Sequence, residues 1–386
     1  MNFIMKIVYC TNNIRFVGGM ERVTLVKANA LAEIEGNEVY VIVTDNKVGP
    51  QVLELSPKVK LIDLDINYYD RDWERSYFVD LLVSLSKRFS HYRKLKNVLK
   101  EIKPDVVISV GKSEKHLVPI MRNRTWRIVR EFHSERGYRL KFAKSTFQKV
   151  IAKSLNFIEF TAMPKIWQWD KIVLLTHEDQ ERYWQGWNNV AVIPNPTFFK
   201  SDKMSDLSAK VVISLGRISP EKNLSSMVNS FRLVVDRHPD WSLHIYGGGD
   251  VKDLENLIKR QGLENHVFLK GSTNEVQSVF LRSSVFVLSS LYEGLPLVLT
   301  ESMECGVPVV SYQCPCGPKD IISDGIDGFL VPVNDERAMA DCICHLIEDD
   351  DLRIKMGAAA KEKAKKYSVE CIIEQWMDLF REIVNK

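Results

Sequence analysis

Residues 285–310, VFVLSSLYEGLPLVLTESMECGVPVV, constrain the fold more than any other part of the chain. Val285-Phe286-Val287-Leu288 is a run of strand formers that ends in two serines and then Tyr292-Glu293-Gly294. A helical stretch follows, with Pro296 near its first turn, where a missing N–H costs least. Gly306 suits the helix C-cap, and Val307-Pro308-Val309-Val310 begins another strand. The unit is therefore strand, loop, helix, strand, and it carries two carboxylates, Glu293 and Glu301. Glu293 sits where the loop meets the helix, and Glu301 lies about two turns further in at 3.6 residues per turn. The backbone N–H groups of residues 295 to 297 are expected to point unpaired out of the helix N-terminus, a site for an anionic or polar ligand.

The chain length, 386 residues, suits two domains rather than one core. Hydrophobic content of 45% and charged content of 27% are those of a soluble globular protein. No uninterrupted apolar run approaches the roughly 18 residues of a membrane-spanning helix. The opening MNFIMKIVYCTN reads as a first strand rather than a signal peptide, and the expected location is the cytoplasm. Seven cysteines include Cys314-Pro-Cys316 and Cys342-Ile-Cys344-His345. Zinc sites space their first pair by two to four residues, so both pairs read as structural thiols, and no metal site is expected. The net charge of +3 hides an asymmetry: residues 87–153 hold 19 Lys and Arg against 5 Asp and Glu. Such a segment draws anionic partners such as a phosphate or an acidic membrane surface, and a solvated charged face would look the same.

The chain otherwise alternates strands and helices. Strands are expected at 5–10, 38–44, 106–110, 127–131, 171–176 and 190–194, with a helix at about 20–34 that begins after Gly18-Gly19. Paired glycines let the backbone approach a ligand closely, but they do not form the nicotinamide-binding G-x-G-x-x-G. His133 closes the strand at 127–131, and α/β sheets place their ligands at strand C-terminal ends. Residues 200–209 are polar and aperiodic and read as an interdomain linker. A strand at 211–215 then runs into Gly216-Arg217-Ile218-Ser219-Pro220-Glu221-Lys222-Asn223. Arg217 offers a planar fork to phosphate oxygens and Lys222 a mobile point charge, and together they suffice to hold a diphosphate without a metal. The strand at 242–246 ends in Gly247-Gly248-Gly249, another phosphate-friendly turn. At the C-terminus, Ile372, Ile373, Trp376, Leu379, Phe380 and Ile383 form a core stripe on a helix at about 368–384.

Glu293 and Glu301, within EGLPLVLTESMECGVPVV, match the E-x7-E signature of retaining glycosyltransferases of the GT-B fold, and the chain resembles the large family 4. The G-R-x-x-x-x-K-N string, the glycines at 247–249 and the I-P-N-P turn before residue 197 carry the same resemblance, which also implies a hairpin-like turn over residues 324–331. It implies an α/β fold of two Rossmann-like domains facing each other across a cleft. The first, 1–199, would bind the acceptor and the second, 210–365, the donor, with the C-terminal helix, 366–386, crossing back to the first. Asp63-Leu-Asp65 and Asp70-Arg-Asp72 are read as chance tripeptides rather than the metal site of the other glycosyltransferase fold.

The resemblance further implies retaining, metal-independent transfer of a hexose or N-acetylhexosamine from a nucleotide sugar, with UDP the family majority. No cofactor or metal is implied. Donor binding falls to Gly18, Gly19, Arg217, Lys222, Gly247, Glu293, Gly294, Leu295, Pro296, Leu297 and Glu301, with Glu301 on the ribose hydroxyls. Glu293, His133, Arg217 and Lys222 are the catalytic candidates. The acceptor would be a glycan or a lipid-linked glycan, with no nucleic acid involved, and the basic segment would contact the inner membrane surface. A GT-B nucleotide-sugar epimerase and a non-catalytic two-domain binding protein are the rival readings.

Overall fold

The computed structural model describes residues 4–15, 18–46, 54–68, 77–111, 114–121, 124–133, 146, 150 and 168–386. They form two compact units, the first made of residues 1–174, 183–196 and 372–386 and the second of 175–182 and 197–371.

The first unit holds a seven-stranded sheet of β1 (Lys6–Cys10), β2 (Glu38–Val43), β3 (Val59–Asp63), β4 (Val106–Ser109), β5 (Arg127–Glu131), β6 (Lys171–Leu174) and β7 (Val190–Val192). Every pairing is parallel and the order is β3-β2-β1-β4-β5-β6-β7. The Val- and Ile-rich strands KIVYC and VVIS are buried almost throughout because helices cover both faces of a parallel sheet. Its helices include α1 (Gly19–Glu33) and α2 (Tyr77–Ile102). A short α3 (His177–Tyr183) follows β6 and falls, up to Arg182, with the second unit.

In the second unit six parallel strands, β8 (Val211–Leu215), β9 (Ser242–Tyr246), β10 (Val267–Gly271), β11 (Val285–Leu288), β12 (Val309–Tyr312) and β13 (Gly328–Val331), take the order β10-β9-β8-β11-β12-β13. Helices α4 (Leu224–Arg237), α5 (Lys252–Arg260), α6 (Val276–Phe280), α7 (Leu297–Glu304), α8 (Pro318–Ile321), α9 (Glu336–Glu348) and α10 (Asp350–Ala364) cover it. Phe231, Trp241 and Leu243 anchor the core on one face of the sheet, and Phe280, Phe286 and Leu299 that on the other. In both sheets the order reverses beside the first strand of the unit. Chain leaving β8 and chain leaving β11 therefore turn to opposite sides and open a crevice at the strand C-terminal ends, where such sheets hold ligands.

The last helix, α11 (Val369–Val384), buries the whole expected stripe, and from Ile372 onward it belongs to the first unit. Trp376 and Phe380 are fully buried, and Lys171 pairs with Glu382 at 3.2 Å.

Three expectations need correction. Residues 200–209 are not a solvated linker: they lie in the second unit, with Ser201, Ser205 and Leu207 buried. The Ser205 amide donates to the Cys305 carbonyl at 2.9 Å, and the buried Arg353 guanidinium donates to the Leu207 carbonyl. Polar side chains that bind backbone need no hydrophobic period, which is why the segment reads as linker. The turn at 324–328 does not close a hairpin but leads into β13, parallel to β12. Helix α7 starts at Leu297 with Pro296 in the N-cap position, so the ring precedes the first turn. Pro296 has no N–H, which leaves Leu295 and Leu297 as the donors among residues 295–297.

The C-terminal end of α7 is a Schellman motif. Gly306, at φ +67°, follows the C-cap Cys305, its amide donates to Met303 at 2.9 Å, and the Val307 amide donates to Ser302 at 3.1 Å.

In the first unit, His91 on α2 is buried with Nδ1 3.1 Å from the Tyr68 hydroxyl, and burial lowers its pKa from 6.5 to about 4. Above pH 6.5 the ring is neutral in folded and unfolded chain alike. Between those values the unfolded chain takes up a proton that the folded one refuses, so stability falls as the pH drops through this window. At about 1.4 kcal/mol per pKa unit, the loss reaches about 3 kcal/mol near pH 4. Thermal unfolding followed from neutral to acid pH should show this decline, and His91→Leu should flatten it. An unchanged slope in that variant would assign the acid sensitivity elsewhere.

Candidate functional site

The switch point of the second sheet explains how the two motifs of this unit meet. Strands β8 and β11 are hydrogen-bonded neighbours, so the loops that leave them, 216–223 and 289–296, lie side by side. Backbone and side chain stitch them together. The Leu291 amide donates to the Glu221 carbonyl at 2.8 Å, and the Ser289 hydroxyl donates to the Lys222 carbonyl at 2.8 Å. In this frame the Lys222 ammonium reaches Oε1 of Glu293 at 2.7 Å, and the Ser290 hydroxyl donates to the same oxygen at 2.6 Å. The pair is mostly buried, with 19% and 13% of the two side chains exposed.

The glycines of these loops have steric reasons. The Lys222 stem passes over Gly216, where a β-carbon would lie 3.3 Å from Cε. A β-carbon on Gly247 would overlap the Gly216 carbonyl, and one on Gly317 the Pro296 ring. Backbone bonds complete the lattice: Gly216 N–H to Tyr246 at 3.0 Å, Ile218 N–H to Gly248 at 2.8 Å and Gly247 N–H to Gly271 at 2.8 Å. The ends of β8, β9 and β10 are thus laced into one glycine-walled floor beside Lys222.

Arg217 is placed differently. Its side chain is 83% exposed and lies 3.7 Å from Glu221 Oε1. It stands in solvent near the floor, with no close ion pair among the described residues to hold it. Tyr292 lies among these charges. Burial, followed by Glu221 and Glu293 and opposed by Arg217, pushes its hydroxyl up to about 12. Glu301, on the second turn of α7, is buried. Gly294, Leu295, Pro296 and Leu297 form the entry into that helix, and the Glu293 amide donates to the Pro315 carbonyl at 3.3 Å.

The first unit presents its own candidates at its C-terminal strand ends. Gly18 caps α1, and Gly19 has open space where a β-carbon would stand. His133 follows β5, with Nε2 3.3 Å from Glu131 Oε1, and burial lowers its pKa to about 4. Of the tripeptides set aside above, Asp70-Arg-Asp72 lies outside the described residues.

Sequence reasoning missed four functional-site neighbours: Ser290, Glu221, Tyr292 and the buried ion pair of Lys27 with Glu131. Ser290 had a signal, since a serine three residues before a loop carboxylate can reach it. Lys27 had none, being one lysine in a helix. The structure also brings Cys344 within 4.8 Å of His238 and Glu348, a set of three metal-ligand types invisible in the sequence. Glu348 Oε1 there already accepts from His238 at 2.8 Å, and the same oxygen from Arg237 at 2.9 Å. A divalent cation would meet the guanidinium at once, so the group reads as an ion cluster at the end of α4.

Two parallel α/β units, the second with a cation–carboxylate pair at its switch point, define the doubly wound class of protein that holds its ligands at the C-terminal ends of the strands. Residues 197–363 match the family described as Glycosyl transferases group 1. A Haemophilus influenzae protein described as an uncharacterized glycosyltransferase is 30% identical over 378 residues, covering 96% of this chain and 98% of its own. A Campylobacter jejuni α-1,4-N-acetyl-D-galactosaminyltransferase, named for an undecaprenol-diphosphate-linked glycan substrate, is 26% identical over 382 residues, 95% of this chain and 96% of its own. Among solved structures, Staphylococcus aureus TarM, a mutant in complex with fondaparinux, α-GlcNAc-glycerol and UDP, superposes with a TM-score of 0.74. It is 17% identical, over 98% of this chain and all of that one. The fold is that of the GT-B glycosyltransferases. The chain belongs to the group 1 glycosyltransferases.

Proposed function

We propose that this glycosyltransferase is a retaining, metal-independent enzyme of family 4. It transfers a hexose or N-acetylhexosamine from a UDP-sugar to a hydroxyl of a glycan or lipid-linked acceptor, in surface polysaccharide or glycoconjugate synthesis. The observation that carries this reading is the Lys222–Glu293 pair, 2.7 Å apart at the switch point, beside a floor of glycine backbone. The UDP in the TarM complex and the lipid-linked substrate of the Campylobacter relative support the donor and acceptor classes.

Breaking the anomeric C–O bond requires stabilisation of the diphosphate as it leaves. Lys222 would move from Glu293 onto the phosphate oxygens, and Arg217 would swing in from solvent. The first-turn amides of α7 would complete the set of donors. These fixed and mobile cations do the work that a divalent metal does elsewhere, hence the expected independence of metal. Glu293, released from Lys222, would hold the donor sugar together with the amides of Gly294, Leu295 and Leu297. Glu301 would accept from the ribose hydroxyls, and Gly247 would admit the phosphates closely; Gly18 and Gly19 offer the first unit's own close approach for a donor. In a front-face reaction, the leaving phosphate itself helps to deprotonate the acceptor hydroxyl, so no protein nucleophile is assigned.

Calorimetric titration with UDP, GDP and ADP in the presence of EDTA tests the donor. Selective UDP binding is expected, lost at least in part in Glu301→Ala and kept in Glu293→Ala, whose turnover falls. Binding only after addition of a metal ion would contradict the metal-free site, and preference for GDP or ADP would contradict the donor.

The membrane reading concerns the first unit. On α2, Leu85 and Phe89 are 54% and 68% exposed, and Arg88, Arg93 and Lys100 are exposed on the same side of the helix. An apolar pair within a cationic face suits an anionic lipid surface. The wider basic segment, 87–153, includes Arg122, which lies outside the described residues. No helix among those described is long and apolar enough to cross a membrane. Co-sedimentation with phosphatidylglycerol vesicles should fall about tenfold in Leu85→Ser/Phe89→Ser, equivalent to about 1.4 kcal/mol. Equal retention of both proteins would remove this helix from the interaction.

A further inference from the structure

Glu293 is gripped by one oxygen. Lys222 and the Ser290 hydroxyl both donate to Oε1, at 2.7 and 2.6 Å. Among the described residues nothing donates to Oε2, yet that oxygen is not sealed in, and the side chain keeps 13% of its surface exposed. The carboxylate thus has one oxygen committed to the protein and one open to solvent.

The two donors differ in what holds them. Lys222 reaches Oε1 on a long, flexible stem. Ser290 is fully buried and carries its hydroxyl on a single rotatable bond. The backbone around both is tied down. The neighbouring Ser289 hydroxyl donates to the Lys222 carbonyl at 2.8 Å, the Leu291 amide to the Glu221 carbonyl at 2.8 Å, and the Glu293 amide to the Pro315 carbonyl at 3.3 Å. What is free to move here is the lysine side chain, while the serine and the main chain of the glutamate stay in place.

A diphosphate that draws Lys222 away poses a problem for the carboxylate it leaves. With the lysine as its sole donor, Glu293 would either follow the cation towards the phosphate or stay behind with Oε1 unpaired. The first course brings like charges together, and the second strands a mostly buried acceptor, which is costly. Ser290 removes both. Its hydroxyl is uncharged, so it is not drawn to the diphosphate, and it keeps Oε1 paired after the lysine has gone.

We propose that Ser290 is a positioning residue for the transfer: it anchors Oε1 of Glu293, so that Oε2 stays aimed at a hydroxyl of the donor sugar while Lys222 moves to the diphosphate. Ser290 touches no ligand itself and acts through Glu293. Its part at the sugar rests on the nucleotide-sugar reading above, whereas the grip on Glu293 does not, and two measurements on the full chain separate them.

The first needs no nucleotide. Thermal unfolding of Ser290→Ala, Glu293→Ala and the double variant forms a cycle. The two losses should be coupled, the double variant melting higher than the sum of the single effects implies. Additive losses would overturn the grip. The second follows UDP release into water from UDP-glucose and UDP-N-acetylglucosamine, which needs no acceptor, beside the affinity for UDP. With the faster of these donors, Ser290→Ala should lose about 10–100-fold in kcat, the usual worth of a hydrogen bond to a charged group, with the affinity for UDP unchanged. An unchanged kcat would overturn the role. So would a fall in UDP affinity as large as the fall in kcat, which would make Ser290 a structural residue of the crevice. Should Ser290→Ala not fold, Ser290→Cys fills the site with a weak donor and carries the same expectations. A wild type that binds no UDP would count against the donor reading, and the unfolding cycle would still decide whether Ser290 holds Glu293.

Discussion

Lys222→Ala is expected to lower turnover about 10²–10³-fold, the usual cost of removing one preorganised donor to a developing anion. The loss should be larger than for Arg217→Ala. Lys222 is held at the switch point by Glu293, with the Gly216 backbone beneath its stem, whereas Arg217 is 83% exposed and a ligand would have to order it. The alanine also strands Glu293, whose Oε1 would keep the Ser290 hydroxyl but lose its cation. A drop in turnover alone therefore mixes two causes. Glu293→Gln separates them, since the amide retains a hydrogen bond from Lys222 while the counter-charge is gone. Should nucleotide affinity rise in Glu293→Gln and fall in Lys222→Ala, the lysine serves the diphosphate. Equal loss of folding stability in both, with unchanged kinetics in the folded fraction, would make the pair purely structural.

The second large effect concerns Gly247. A methyl group there would overlap the Gly216 carbonyl oxygen, a backbone atom that no rotamer change can move, and the residue sits at φ +157°. Gly247→Ala should cost the second unit about 2–4 kcal/mol. For a unit of this size that lowers its melting temperature by roughly 5–10 °C. Gly262→Ala offers the control. Its φ is +64° but nothing lies within 4 Å of its β-carbon, so only the conformational cost of about 1 kcal/mol applies. Scanning calorimetry on the three proteins checks the order. Because the Gly247 loop floors the crevice, the alanine variant should also bind UDP more weakly even where it remains folded. A melting point equal to that of Gly262→Ala would show that the loops ending β8 and β9 can part at little cost.

Much of this was legible before any fold was known, for an identifiable reason. Strand-forming runs such as VFVL and VVIS, a proline and a glycine bracketing LVLTESMEC, and the stripe from Ile372 to Ile383 depend on neighbours within one or two turns. Composition and period report such neighbours directly. The motif strings around Glu293 and Lys222 were readable in the same way. What misled was the segment 200–209. Its serines satisfy backbone groups of the second unit, and polar packing leaves no period to read. The parallel placement of β13 was equally hidden, because a short strand does not declare which neighbour it joins.

The sequence by itself determined the class of the protein: two α/β halves, a string of glycines and cations at strand ends, and a helix that begins beside one glutamate and carries another. Only the tertiary structure decided which of these groups act on one another. Lys222 and Glu293 are 71 residues apart and touch because the second sheet reverses its order between β8 and β11. Lys27 and Glu131, 104 residues apart, meet between α1 and β5 with the Trp376 ring of α11 beside the lysine. Ion pairs and hydrogen bonds form only between groups within about 3–4 Å of one another, so the chemistry belongs to whichever charges the sheet order brings side by side, and sequence distance carries no record of that order.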